Sequence, residues 1–317
     1  MSPSLTLSRA LRLAALALVG SPASAQLRAD GPPVRGFADD TPALAPVWSP
    51  DGTRLAFTRE GYVGLWTVGA DGAETRQLSG EPGAGFGFAW SPEGGAIAAR
   101  VARLDGVRRS DAVKLFPVSG EAETLVDYQD AATSLPRWLD ATRVGVVRGG
   151  VLDVRPTSDA PRLAPLSGEA LVGTGAEGLR IADLGANTLR EVTPIDGARL
   201  LNAVASPDGE RVAFEVVGGN AFVARRDGSG LVDLGPGHRP AWSPDGRWVA
   251  LQQTEDDGHA FTAADLVAVR SDGSARVVLT DTPDRLEMNP SWSPDGRAIA
   301  FDEGGALYLL PVTGVSR

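Results

Sequence analysis

The sequence predicts an all-β chain folded as a β-propeller. Three observations carry that reading: a pentapeptide that recurs in register, a composition rich in turn formers, and a repeat interval close to one four-stranded blade. Trp-Ser-Pro-Asp-Gly stands at 48–52, 242–246 and 292–296, with Trp-Ser-Pro-Glu-Gly at 90–94 and Ala-Ser-Pro-Asp-Gly at 205–209. With 39 Gly and 23 Pro in 317 residues, helix breakers are too frequent for long helices and suit short strands joined by tight turns.

Each copy of the pentapeptide is followed by a short apolar strand, at 54–57, 96–99, 211–214, 247–250 and 297–300. A second strand follows a variable loop, as at 64–68, 114–118, 266–270 and 307–312, and a third runs through 76–79 or 276–280. Two less regular copies fill the middle. Trp138-Leu139-Asp140 opens one, with strands at 143–147 and 151–155; the other opens near Pro165, with strands at 169–173, 179–184 and 189–193. The mean interval from Trp48 to Trp292 is about 41 residues, the length of one blade of four antiparallel strands. Residues 26–317 therefore form one domain of seven blades. The short interval between 138 and 165 keeps a six-bladed ring as the alternative.

The motif reads as architecture. Trp48, Trp90, Trp138, Trp242 and Trp292 end the innermost strands and fill the gaps between blades with large apolar bodies. Ser-Pro turns the chain, and Asp51, Asp208, Asp245 and Asp295, each followed by Gly, supply the tight turn into the next strand. That role accounts for these aspartates without metal or acid chemistry. The last blade lacks an outer strand at its own end, and residues 33–37 are the best candidate to supply it. Pairing the two ends of the chain closes the ring and leaves no open sheet edge.

Residues 1–25 have the three parts of a secretory signal: Arg9 and Arg12, the apolar run Leu13 to Val19, and an A-x-A site at Ala23-Ser24-Ala25. The apolar run is too short to span a bilayer, and no other segment approaches a membrane span. The expectation is a periplasmic or secreted protein that is a monomer. With no cysteine, the chain carries no disulfide, thiolate metal site, cysteine nucleophile or lipid anchor. With only His238 and His259, it carries no multi-histidine metal centre. A net charge of −10 and the absence of a basic patch argue against nucleic acid.

The repeated W-S-P-D-G-x-x-[IVL]-A-F pattern, with Asp71-Gly72, Asp227-Gly228 and Asp272-Gly273 as further turns, resembles the TolB-type propeller repeat over roughly residues 40–317. TolB is a periplasmic protein of the Tol–Pal envelope system, with an α/β domain before a six-bladed propeller. Only about twenty residues here separate the expected cleavage site from the first repeat, so the expected form is a propeller without that domain. The hydrolase half that accompanies such repeats in prolyl oligopeptidase-like enzymes is not expected either. The resemblance implies a binding role, with an envelope or extracellular protein as the expected partner and a small ligand as the other.

Propeller geometry places the longer loops on the face opposite the Asp-Gly turns, where binding usually sits. The candidate partner-binding residues there are Arg108 and Arg109, Tyr128 and Asp130, His259, and Arg285 and Glu287. His238, Arg239 and Asn289 precede motif tryptophans, on strands that line the channel, and with Phe86 and Tyr128 they make a mixed aromatic and polar mouth. The bland reading of His238 is a loop histidine bonded to neighbouring backbone. Glu255-Asp256-Asp257 could take calcium, but it lacks the alternating spacing of a calcium loop and reads as a solvated acidic stretch. No other cofactor is expected, and no catalytic residue is assigned. The expected function is a non-enzymatic scaffold that docks a protein or ligand on the loop face. The alternative is a channel-site enzyme, a carboxylate- or calcium-dependent hydrolase, lyase or lactonase. There is no G-x-S-x-G nucleophile elbow.

Overall fold

The structure, a computed structural model, describes residues 27–315 apart from 38, 40, 131–132, 158–164 and 177. The secretory signal expected over residues 1–25 lies outside the described residues. Two short strands, β1 (Arg28–Ala29) and β2 (Val34–Phe37), open the described chain, and the rest forms seven antiparallel sheets in sequence order. Blade 1 is β3 (Leu44–Trp48), β4 (Arg54–Thr58), β5 (Val63–Gly69) and β6 (Arg76–Pro82). Blade 2 is β7 (Phe88–Trp90), β8 (Ala96–Asp105), β9 (Arg108–Pro117) and β10 (Glu123–Gln129). Blade 3 holds β11 (Arg137–Trp138), β12 (Arg143–Arg148) and β13 (Val151–Pro156), and blade 4 holds β14 (Glu169–Thr174), β15 (Leu179–Asp183) and β16 (Thr188–Val192).

Blade 5 is β17 (Leu200–Ala205), β18 (Arg211–Val216), β19 (Ala221–Arg225) and β20 (Val232–Gly235). Blade 6 is β21 (His238–Trp242), β22 (Trp248–Asp256), β23 (Phe261–Arg270) and β24 (Arg276–Val278). Blade 7 is β25 (Met288–Trp292), β26 (Ala298–Glu303) and β27 (Ala306–Thr313), with β2 as its outer strand. The ring thus has seven blades. Blades 3 and 4 show three strands each among the described residues. The tight interval after Trp138 has a simple origin. In blade 4 the first turn follows β14, with the Gly175 N–H donating to Gly178 O at 2.7 Å. Thr174, not Pro165, therefore occupies the strand-end place that tryptophan takes elsewhere.

Closure runs through the N-terminal strands. β2 pairs antiparallel with β27, Val34 opposite Leu309 and Phe37 opposite Leu307, and β1 continues the pairing with Arg28 opposite Thr313. Phe37 then packs against Phe57 of blade 1, with ring centroids 5.2 Å apart.

The tryptophans also do something the sequence does not announce. Trp90 Nε1 donates to Val47 O at 3.1 Å, Trp138 to Ala89 O at 3.0 Å and Trp242 to Val204 O at 3.0 Å. Each bond ties a blade to the channel strand of the blade before it. Between blades the second strands bury Phe57, Phe214 and Phe301 at matching positions, each at most 1% exposed and worth about 1.5–3 kcal/mol of burial.

In the turns, the serine hydroxyl donates to the aspartate two residues on: Ser49 to Asp51 at 2.6 Å, Ser206 to Asp208 at 2.5 Å, Ser243 to Asp245 at 2.6 Å and Ser293 to Asp295 at 2.7 Å. The same carboxylates accept the N–H groups of Thr53, Glu210, Arg247 and Arg297. These aspartates are occupied in holding the turn.

Two stretches that read as loops are strands instead. β8 and β9 pair without a break from Ala96–Pro117 to Asp105–Arg108, and β22 and β23 pair out to Asp256–Phe261. Charged residues on both faces of each hairpin hide the period-2 signal there, while the backbone ladder continues. No helix among the described residues is long and apolar enough to cross a membrane.

Candidate functional site at the channel mouth

The innermost strands of all seven blades surround a cavity of about 760 Å³. It opens among second-to-third-strand and blade-to-blade connections, since Tyr62, Phe86 and Ser134 line it together with strand residues. Its walls hold Arg137, Arg239, Asn202, Asn289 and the Tyr62–Phe86 pair, whose rings meet edge to face at 5.1 Å. Among the described residues no aspartate or glutamate lines it.

The mouth is built from a repeated distortion. Ala45, Asn202, Arg239 and Asn289 all have left-handed backbone, with φ of 52°, 50°, 54° and 54°, each three residues before the end of its channel strand. In all four strands the pairing register shifts at this place, the mark of a bulge. Pro46, Pro240 and Pro290 follow three of them, tolerable because a channel strand has no further neighbour in its sheet to receive an N–H. Left-handed backbone is costly for residues other than glycine and persists only when its surroundings fix it.

Here polar side chains of the preceding blade do the fixing. The Ala45 N–H donates to Asp302 Oδ1 at 2.8 Å, the Arg239 N–H to Glu215 Oε1 at 2.6 Å and the Asn289 N–H to Gln252 Oε1 at 2.8 Å. The amides of Asn202 and Asn289 add their own bonds to Glu215 at 2.7 Å and Asp302 at 2.8 Å. Asp302 is 4% exposed, and burial pushes its carboxyl up to about 6 against the hydrogen bonds and the Arg239 charge that lower it.

The two arginines differ. Arg239 is exposed and reaches Tyr62 Oη at 3.4 Å. Arg137 projects from blade 3 past Gly173 and Thr174 of blade 4, and its one described hydrogen bond goes to Ala203 O in blade 5, at 3.4 Å. Desolvation deep in the channel pulls the Arg137 guanidinium below the usual arginine value. Neither arginine forms an ion pair among the described residues.

The residues singled out from sequence fall in several places. Asn289 and Arg239 reach the mouth, and Phe86 joins them, 43% exposed. His238 is not bonded to backbone; its Nδ1 lies 3.1 Å from Glu215 Oε2. Tyr128 sits away from the mouth, at the junction of blades 1 and 2. Its hydroxyl donates to Glu81 at 2.6 Å, Lys114 holds the same carboxylate, and desolvation and Glu81 push the phenol up to about 12. Arg108 and Arg109 stand near the tip of the β8–β9 hairpin, where Arg109 pairs with Asp111 at 2.9 Å. Asp130 and His259 are exposed. Arg285 pairs with Glu303, while Glu287 is buried, bonded by Thr282 and raised by burial. These groups are spread over separate blades and do not form one site.

Glu255, Asp256 and Asp257 are exposed, and the last two accept backbone N–H groups of their own turn. Arg137, Tyr62 and Asn202 were not anticipated. A signal for Arg137 does exist: the residue before the strand-end tryptophan or alanine is Val47, Ala89, Val204, Ala241 or Ser291 in other blades. A long cation at a position otherwise small marks a blade that does something different.

No family model matches the chain, and no curated protein is similar to it in sequence. Among solved structures, an oligogalacturonate lyase in complex with manganese is similar in fold, with TM-score 0.50 and 14% identity over 87% of this chain and 79% of that one. An oligogalacturonate lyase from Vibrio parahaemolyticus has TM-score 0.48 and 11% identity over 86% of this chain and 79% of that one. At such identity the likeness is one of fold. The fit of this chain to manganese is poor: the described residues gather no three His, Cys, Asp or Glu that could hold a metal, and the carboxylate of the His238–Glu215 pair already takes bonds from Asn202 and Arg239.

Proposed function

We propose that this chain is an exported propeller that binds a ligand in the mouth of its channel and does not transform it. The observation that carries this reading is the state of the acids around the mouth. Asp302 and Glu215, the carboxylates bonded to its left-handed residues, are 4% and 6% exposed, and both are engaged in fixing left-handed backbone. The carboxylate- or calcium-dependent alternative needs a carboxyl group within reach of a bound substrate, and the described lining contains none. What the mouth does offer is an aromatic pair, two guanidinium groups and two asparagines on a rigid frame, a set suited to recognition.

Export rests on the signal-like features of residues 1–25, and the TolB-like repeats support a place in the cell envelope or outside the cell. In the same proposal the exposed β8–β9 and β22–β23 hairpins, with Arg108 and His259 near their tips, are where an envelope protein would touch the loaded propeller. The test is native mass spectrometry of the mature chain after incubation with the small-molecule fraction of its source cells, beside Phe86→Ala and Tyr62→Ala variants. The expected result is a molecule retained unchanged by the wild type and lost by both variants. A molecule recovered chemically altered would replace this reading with the enzymatic one. Retention undiminished in the variants would move the site away from the mouth.

A further inference from the structure

Building on the mouth as the binding site, we infer that its ligand is a hydroxylated organic carboxylate, whose carboxylate group pairs with the Arg137 guanidinium deep in the channel. The chain carries a net charge of −10, yet among the described residues the ionisable side chains lining this cavity are Arg137, Arg239 and Tyr62. A cavity with cationic walls in an acidic protein concentrates anions locally.

Arg137 has five N–H donors in a planar fork. Its one described bond, 3.4 Å to Ala203 O, is longer than a good N–H···O bond and leaves most of the fork unmet. Water alone satisfies such a group poorly where the surroundings desolvate it, and a carboxylate matches the fork with two parallel bonds. Gly173 and Thr174 of blade 4 line the cavity with Arg137, and a Cβ added at Gly173 would meet nothing within 4 Å, so the space there is open.

The rest of the mouth fixes the remainder of the ligand. The Asn202 and Asn289 amides each give one N–H to Glu215 and Asp302, which leaves their side-chain oxygens and a second N–H to meet hydroxyl groups. The Tyr62–Phe86 pair offers a flat apolar flank for a carbon skeleton, and Arg239 stands beside Tyr62 as a second, exposed cation. A carboxylate on a polyhydroxylated body uses all of these groups. A bare inorganic anion uses only the arginines.

Calorimetric titration at low ionic strength with gluconate, sorbitol and inorganic phosphate tests this directly. Gluconate and sorbitol differ in the carboxylate, and phosphate supplies the oxyanion without the body. The expected order is gluconate tightest, with sorbitol weaker by about tenfold or more, the size of one lost charge-assisted contact. Arg137→Met should weaken gluconate by a similar factor and leave sorbitol unchanged; Arg137→Lys should restore part of the loss. Arg239→Met, an exposed change that spares folding, should weaken gluconate less. Equal affinity for gluconate and sorbitol, or gluconate affinity unmoved in both arginine variants, overturns the inference. Phosphate binding as tightly as gluconate, with the same Arg137 dependence, replaces the carboxylate by a phosphate. Binding of sorbitol alone, lost in Phe86→Ala, would sink the carboxylate and leave the mouth as the binding site.

Discussion

Asp302 is the group through which the mouth can be tested without any ligand. Its carboxyl is 4% exposed, sits at about 6 instead of 3.8, and accepts both the Ala45 N–H and the Asn289 amide. A raised pKa means the folded protein holds this proton more tightly than the unfolded chain does. The contribution is therefore fully present below about pH 4 and is lost as the pH rises through about 6. The difference between 3.8 and about 6 corresponds to at most about 3 kcal/mol. Asp302→Asn keeps the shape and the acceptor oxygen while removing the ionisation. Urea unfolding of both proteins between about pH 4 and pH 8 isolates the effect, because every other titration is shared and cancels in the difference. The variant should match the wild type near pH 4 and exceed its stability by about 1–3 kcal/mol near pH 8. A difference that does not change with pH would refute the argument that burial governs this carboxyl.

Four further expectations follow from the fold. Trp242→Phe removes the bond to Val204 O and should cost about 1–2 kcal/mol more than Trp292→Phe, whose indole nitrogen has no partner among the described residues, in paired denaturant titrations. Ser243→Ala deletes a buried hydroxyl that donates to Asp245 and accepts the Trp248 N–H, and should lower stability by about 1–3 kcal/mol by the same measurement. Removing residues 27–37 exposes the outer edge of β27 and should produce concentration-dependent association in light scattering; a stable, monodisperse product would contradict closure by β2. Gly72→Ala would place a Cβ 2.4 Å from the Gly36 carbonyl oxygen at a φ of +82°, and the resulting drop in melting temperature should exceed that of Gly258→Ala, also at positive φ but in open space.

Much of the architecture is legible in the chain because it repeats. Five copies of one pentapeptide set the blade interval, the strand-end tryptophans and the turns, and the leftover segment at 33–37 can be matched to the outer edge of the last blade. The middle is harder to place: blade 4 has Thr174 and a Gly175–Gly178 turn where the motif would be, so its start is invisible to a search for tryptophan. The mouth is harder still. A bulge of one residue is defined by its partner strand, and the side chains that hold Ala45, Arg239 and Asn289 lie on the preceding blade, remote in sequence. Glu215, Gln252 and Asp302 end apolar runs and read as ordinary exposed strand ends. Tyr128 fails as a mouth residue for a similar reason: sequence places it in a blade-to-blade connection but cannot show that Glu81 and Lys114 draw it toward blade 1.

The cross-blade bonds also divide the mouth into two unequal halves. From blade 5 through blade 6 and blade 7 to blade 1, Glu215, Gln252 and Asp302 each hold the left-handed residue of the next channel strand. That arc has its backbone held by bonds between blades, so it is suited to keeping a shape, while the Asn202 and Asn289 side-chain oxygens stay open to a ligand. On the other side, Gly87 takes the positive-φ position three residues before Trp90 without strain, Gly173 has positive φ next to the strand end, and Arg137 spans from blade 3 to blade 5 on a single long bond. A rigid arc opposite an under-bonded cation is the arrangement expected if the ligand itself completes the ring of polar contacts. Binding would then tighten blades 3 to 5 more than blades 6, 7 and 1, and hydrogen exchange of their channel strands should slow in that order when gluconate is added.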